Sequence, residues 1–312
     1  MAKSSTPKSA AETAKALKKK LTKAPKGAGR PAPVARPYRP AVVTFLDILG
    51  FRERVAASQD ATAIRRILAR LRSFSDVGDP DEKLEAEHGF EVTRSIAFSD
   101  SVVRIRFFDT DYPSGALYHE VLSLLHVQAE MMGADVLVRG GVTVGDVYLE
   151  GDMAFGPGFN RAYDLESQFA NVPRIVIGPE AFVALRTEPR LVAVDHTPDE
   201  DIAYLRRLLK RGDDGFWFID YLQAMRSELD HPELHPEIVA QHRALIINGA
   251  ATAPPHSRVL QKYLWLAQYL NDAVDRCGLP EALCLTQADI PALDALADRP
   301  PWMAPGDDSD LD

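Results

Sequence analysis

Cysteine is scarce: Cys277 and Cys284 are the only two in 312 residues. They sit seven apart in an apolar helical pattern, which reads as buried free thiols and excludes both a disulfide scaffold and a cysteine-based metal centre. Long apolar runs are missing as well. No stretch approaches the roughly 20 apolar residues of a membrane span, and the first residues lack the apolar core of a signal peptide, so a cytoplasmic protein without a membrane span is expected. The eight histidines are scattered without metal-ligand spacing, and His231 and His235 stand beside prolines in a loop-like segment, so none is assigned a catalytic role. Ser99 and Ser101 lack an accompanying histidine and aspartate set, which argues against nucleophilic hydrolysis.

Acidic residues are nearly absent from the first forty positions, where eleven Lys or Arg face the single Glu12. The whole chain carries a formal −9, so the remainder carries about −19. An acidic body argues against a nucleic-acid-binding core and requires metal counterions for any polyphosphate substrate. The Lys-, Ala- and Pro-rich segment 1–40 reads as a disordered basic tail, with contact to RNA or a membrane surface as the alternative.

What the chain does have is a globular composition, 46% hydrophobic and 26% charged, beginning after Pro40. Residues 41–47 read as a buried strand, β-branched and aromatic, that delivers Asp47 and turns at Gly50 into a helical stretch over 49–74. The segment 76–88 reads as a loop. The runs 90–98 and 102–108 form a hairpin with Asp100 at its tip. Ser114 is the expected N-cap of an amphipathic helix with Gly133 past its end, and 136–142 is the next strand, where Gly140 and Gly141 predict the close approach of another backbone or of a ligand. A glycine-rich hairpin, a helix from near Asn160 and a strand at 174–177 follow. Phe216–Ile219 reads as one more strand, and 221–230, 235–248 and 256–275 as helices. The order strand, helix, strand, strand, helix, strand is that of a ferredoxin-like palm, an α+β fold.

A buried Asp at a strand end needs a partner, and two readings of Asp47 stand: metal ligand, or cap of the following helix. In such a palm Asp47 and Asp100 lie side by side. Paired carboxylates either raise one pKa or bind divalent metal, an arrangement suited to phosphoryl transfer. The backbone from Ile48 through Leu49, Gly50 and Phe51 offers amides at a helix start for phosphate.

The ordered motifs Phe45-Leu46-Asp47-Ile48-Leu49-Gly50-Phe51, Phe98-Ser99-Asp100-Ser101, Arg139-Gly140-Gly141-Val142-Thr143-Val144-Gly145 and Phe155-Gly156-Pro157-Gly158-Phe159-Asn160 resemble those of class III nucleotidyl cyclases over about residues 41–180. The run Asn160 to Glu166 followed by Pro173-Arg174-Ile175-Val176 is most similar to the pyrimidine cyclases of Pycsar antiphage systems. With it the chain divides into a catalytic domain over 41–222, a helical C-terminal extension over 223–299 read from its helical pattern, and a flexible acidic tail over 300–312 read from its Pro and Asp content. The resemblance makes Asp47 and Asp100, with the Ile48 carbonyl, ligands of two Mn²⁺ or Mg²⁺ ions. Asn160 would orient the ribose across the interface of a homodimer with composite active sites. The reaction implied is attack of the ribose 3′-oxygen on the α-phosphorus of a pyrimidine nucleoside triphosphate, UTP before CTP, with a cyclic-nucleotide-sensing effector downstream.

The departures from that pattern matter. Asp164 occupies the position where the family carries a transition-state arginine, so Arg161, Arg104 and Arg139 become candidates for the role. Met153 and Ile96 stand where purine cyclases read the base. Arg94 shares a strand face with Ile96 and Phe98 and is a candidate for a smaller base or a phosphate, its alternative being a solvent-facing arginine. Tyr163 either packs near the nucleotide or belongs to the core. A cyclase-like domain that binds nucleotide without turnover is the rival reading, favoured by Asp164.

Overall fold

A computed structural model describes residues 38–57, 61–73, 93–110, 113–151 and 153–293, which belong to one compact unit beginning at Tyr38. The basic segment through residue 37, the expected loop at 76–88 and the acidic tail at 300–312 lie outside the described residues.

Strand β1 (Arg39–Ile48) leads into helices α1 (Phe51–Ala57) and α2 (Thr62–Ser73), then β2 (Arg94–Phe98), β3 (Ser101–Phe107) and α3 (Ala116–Gly133). Strands β4 (Val138–Glu150) and β5 (Met153–Phe155) follow, with α4 (Pro157–Asp164), β6 (Ile175–Ile177), α5 (Pro179–Thr187) and α6 (Pro198–Leu208). The chain continues through β7 (Leu209–Arg211), β8 (Trp217–Ile219), α7 (Tyr221–Glu228), α8 (His235–Thr252) and α9 (Arg258–Cys277). The fold is a mixed α/β architecture, compatible with the expected α+β class. Its sheet runs β2-β3-β1-β4-β6-β8-β7 with β5 paired to β4, and β4–β6 is the parallel pair. No helix among the described residues is long and apolar enough to cross a membrane.

Central position explains the composition of β1, which pairs along its length with β3 on one side and β4 on the other. A strand covered on both faces has no polar face, and Ala41 to Leu46 are all buried. Val42, Leu46 and Ile48 join the main core under α3 and the C-terminal helices, while Ala41, Val43 and Phe45 join a smaller cluster under α4. Helices α8 and α9 contribute Val239, Ile246, Leu264 and Leu270 to the same core as the sheet, and residue 222 lies inside α7.

Several boundaries differ from expectation. The stretch 49–74 contains two helices, and Gly50, at φ 72°, makes the left-handed corner between β1 and the first. Ser114 does not cap α3: it bridges to Ala193, and Gly115 takes the cap position with φ 70°. Gly133 is the last residue of α3 rather than lying past it. Helix α4 begins at Pro157, three residues before Asn160, because proline is tolerated at a first helical position. Helices α5 and α6 and strand β7 were not expected, although α6 carries a capping box at Thr197 and Glu200 and buries Ile202, Leu205 and Leu208 at helical spacing. A close approach is present at the double glycine, made by the protein's own chain: a side chain on Gly141 would collide with Leu165 Cβ and meet the Ala162 carbonyl at 2.8 Å. The missing Cβ lets the end of α4 lie directly on β4.

Candidate active site

Asp47 stands at the end of β1, in register with Ser101 on β3 and Arg139 on β4. Strand alternation turns it to the α4 face with Val43 and Phe45, while Ile48 is buried on the other face. The adjoining β2–β3 turn carries Asp100, and the Ile48 amide donates to the Asp100 carbonyl at 3.1 Å. Ser99 makes this tight turn in the left-handed region, φ 57°. The sequence-derived carboxylates thus sit at adjacent corners of one sheet end.

Arg139 organises the cluster. Its Nε donates to Asp47 Oδ2 at 2.9 Å, and its Nη2 lies 2.7 Å from Glu166 Oε1. Burial pushes Asp47 above the ordinary carboxylate range, Arg139 opposes that shift, and the charge of Asp100 adds to it. Burial also pushes Glu166 up to about 7, again against Arg139 and with Asp47 and Asp100. Lys262 on α9 is half-buried within electrostatic reach of Asp47 and Glu166; burial and Arg139 lower its pKa. The arrangement therefore gathers three carboxylates and two cations.

The remaining candidates divide. Tyr163 packs its ring edge-on against Phe45 at 5.3 Å, and Phe98 and Phe159 meet the same ring at 6.0 Å. Asn160 is exposed on α4, and among the described residues its side chain makes no hydrogen bond to the cluster. Arg161 is engaged by Glu180, its Nε 3.0 Å from the carboxylate, with its guanidinium over Phe169. Arg104 is removed from candidacy: it is fully buried on the other face of the sheet and paired with Glu120 at 2.7 Å. Arg94 aligns with Ile105, which aligns with Val43, so it sits four residues back from Asp47, about 13 Å along the strands. Asp164 accepts a bond from Gln168 at 3.2 Å.

Of the backbone amides offered to phosphate, two are consumed by the fold. Ile48 N–H goes to Asp100 and Leu49 N–H goes to the Leu137 carbonyl at 2.9 Å, and among the described residues those of Gly50 and Phe51 at the start of α1 meet no backbone acceptor.

Two carboxylates and the Ile48 carbonyl make an all-oxygen donor set suited to a hard divalent cation. Among the described residues no three carboxylate, imidazole or thiolate side chains close around one ion. Asp47 and Asp100 would therefore share it with water or phosphate oxygens, as Mg²⁺ sites commonly do.

Glu166 and Lys262 carried no assigned role in the sequence. Glu166 had a usable signal, since it follows Ala162 by four residues and so shares the buried face of α4 as that helix continues into the π turn Leu165–Phe169. Lys262 had none, because only tertiary packing brings α9 to β1. No protein-family model matches this chain, and no curated protein matches its sequence.

Proposed function

We propose that the chain is a pyrimidine nucleotide cyclase that converts UTP to 3′,5′-cyclic UMP and diphosphate, with CTP to cyclic CMP as the alternative substrate. The observation that carries the reading is the placement of Asp47 and Asp100 at adjacent corners of one sheet end. In support of a ferredoxin-like palm, the first four long strands lie in the order β2-β3-β1-β4, with helices after β1 and β3.

Two Mg²⁺ or Mn²⁺ ions held by Asp47, Asp100 and the Ile48 carbonyl would supply activation of the ribose 3′-hydroxyl and neutralisation of the leaving diphosphate. The chain's own groups do the rest. The 3′-oxygen bonds to the α-phosphorus as the bond from that phosphorus to the β-phosphate's bridging oxygen breaks, and the hydroxyl proton leaves to solvent. Arg139 neutralises Asp47 in the absence of substrate and is the guanidinium in the cluster available to the developing phosphate charge, the role that Asp164 does not fill. Phe45, Phe98 and Tyr163 offer an aromatic wall beside the carboxylates for the base.

A homodimer with composite sites belongs to the same proposal. Phe98 and Tyr163 pack on Phe45 yet remain 46% and 49% exposed, and the exposed Asn160 lies on the same helix as Tyr163. A second copy docked there would cover the apolar surface and present its Asn160 to the ribose. Synthesis of a second messenger for a cyclic-nucleotide-sensing effector in antiphage defence extends the reading by resemblance alone.

Incubation of purified protein with each of the four nucleoside triphosphates and Mn²⁺, with product identification, tests the reading. Cyclic UMP or cyclic CMP is the expected product, and absence of any cyclic product from a dimeric preparation overturns it. The Arg139–Asp47 pair favours a second reading, a module that binds nucleotide without turnover; there UTP would raise the melting temperature and be recovered intact.

A further inference from the structure

Outside the Asp47 cluster, a cavity of about 480 Å³ lies where α5, α6 and the ends of β6, β7 and β8 meet. Three guanidinium groups from three different elements line it: Arg186 on α5, Arg206 on α6 and Arg211 on β7. For a chain with formal charge −9, such a gathering runs against the overall charge. Its own anions are already engaged. Arg174 holds the lining carboxylate Asp214, with one contact at 3.2 Å, and Asp199 pairs with Arg186 at 3.3 Å. Arg206 has no carboxylate partner among the described residues, and its guanidinium carbon stands 6.0 Å from the Trp217 ring. Arg211 donates from Nε to the Gly215 carbonyl at 3.3 Å, which leaves its terminal nitrogens for another acceptor.

The other wall is aromatic. Phe182 and Trp217 line the cavity with ring centroids 6.2 Å apart and planes inclined at 56°, an open V rather than a closed stack. Trp217 is half-buried and Phe182 packs against the main core, so the V is fixed by the fold. Planar guanidinium forks recognise phosphate by paired hydrogen bonds, and flat rings take a flat ring. The volume falls within the roughly 300–1,000 Å³ of small-molecule sites.

We propose that this cavity binds a small aromatic phosphate of mononucleotide size, its phosphate between Arg206 and Arg211 and its ring against Trp217 and Phe182. The proposal is independent of the Asp47 site, and its test is arranged to keep the two apart. Calorimetric titrations of the full chain with UMP and with AMP are run in EDTA, which removes metal-dependent binding at the carboxylates. Uridine and inorganic phosphate serve as the half-ligand probes. Expected is one site per chain for at least one nucleotide, with both half-ligands weaker. Arg206→Glu and Arg211→Gln should each weaken it about tenfold or more, the scale of one charged hydrogen bond. Both positions are exposed, so the melting temperature of each variant should match that of the unsubstituted chain. Quenching of indole fluorescence by the nucleotide should disappear in Trp217→Phe. Failure of both nucleotides to bind, or binding unchanged in Arg206→Glu, overturns the proposal and leaves the cyclase reading untouched.

Discussion

Arg139 faces Asp47 across the β1–β4 ladder and donates to it at 2.9 Å, while its other arm reaches Glu166. One guanidinium thus holds together two carboxylates that repel each other and a third, Asp100, beside them. Such a cluster stores unfavourable charge that a cation or a substrate can relieve. Strained electrostatics of this kind is what binding and catalytic sites use.

Replacing Arg139 by Ala should therefore damage both stability and activity. It leaves two partly buried carboxylates with the more distant Lys262 as counter-charge, a loss of about 1–3 kcal/mol. Arg139→Lys restores charge without the fork and should recover stability better than turnover. Urea midpoints and initial rates of the two variants, measured side by side, check this; equal recovery of both would remove Arg139 from the reaction.

Glu166 gives a prediction with a defined sign. Its folded-state pKa of about 7 lies above the ordinary 4.5, so its protonation favours the fold. That contribution is complete below about pH 4.5 and is lost as pH rises through 7. Glu166→Gln should accordingly raise stability at pH 8 by about 1 kcal/mol after allowance for solvent screening, with little effect at pH 5. Denaturation at both pH values in EDTA measures it, and a variant no more stable at pH 8 than at pH 5, relative to the unsubstituted chain, contradicts it.

The contrast between Asp47 and Glu166 shows where the sequence was legible. Asp47 interrupts an apolar strand and is followed by a glycine corner, so a local pattern announces it, whereas the register of β1 with β3 does not follow from a strand that is apolar on both faces. Gly141 likewise announced a close approach, and α4 is the neighbour that makes it. Glu166 and Lys262 reach the site only through helix packing, which period and composition do not encode. Helices α5 and α6 open on Pro179 and Pro198, since proline is tolerated at a first helical position.

Glu120 offers a stability test away from the site. It is fully buried in α3, accepts from Arg104 and Thr44, and is held down to about 2, with burial opposing and Arg104 favouring the ionised form. Its folded pKa is depressed, so its stabilisation is present above 4.5 and is lost as pH falls toward 2. Neutral His242, held near 3 by burial beside Tyr221, works in the same direction below its ordinary 6.5. Acid unfolding should steepen below pH 4.5. Glu120→Ala, which strands Arg104 in the core, should cost about 3–5 kcal/mol at pH 7. A loss under 1 kcal/mol would mean that Arg104 finds water.

Composite sites make a prediction that no single-chain site shares. Asp47 and Asp100 lie together within one chain, whereas Asn160 is exposed on α4, where the proposed dimer would bring it to the site of a second copy. Asp47→Ala and Asn160→Ala homodimers should each be inactive, with rates down by about a hundredfold or more. Mixing and re-equilibrating the two should produce heterodimers in which one of the two sites has both residues intact. Statistical pairing puts half of the dimers in that form, so about a quarter of the unsubstituted activity should return. Neither variant removes an apolar core side chain, so each should stay folded and keep the dimeric mass, which separates loss of chemistry from loss of assembly. Equal inactivity of the mixture, with heterodimers demonstrated by mass, would place Asn160 and Asp47 in the same chain's site, and full activity of Asn160→Ala by itself would remove Asn160 from catalysis.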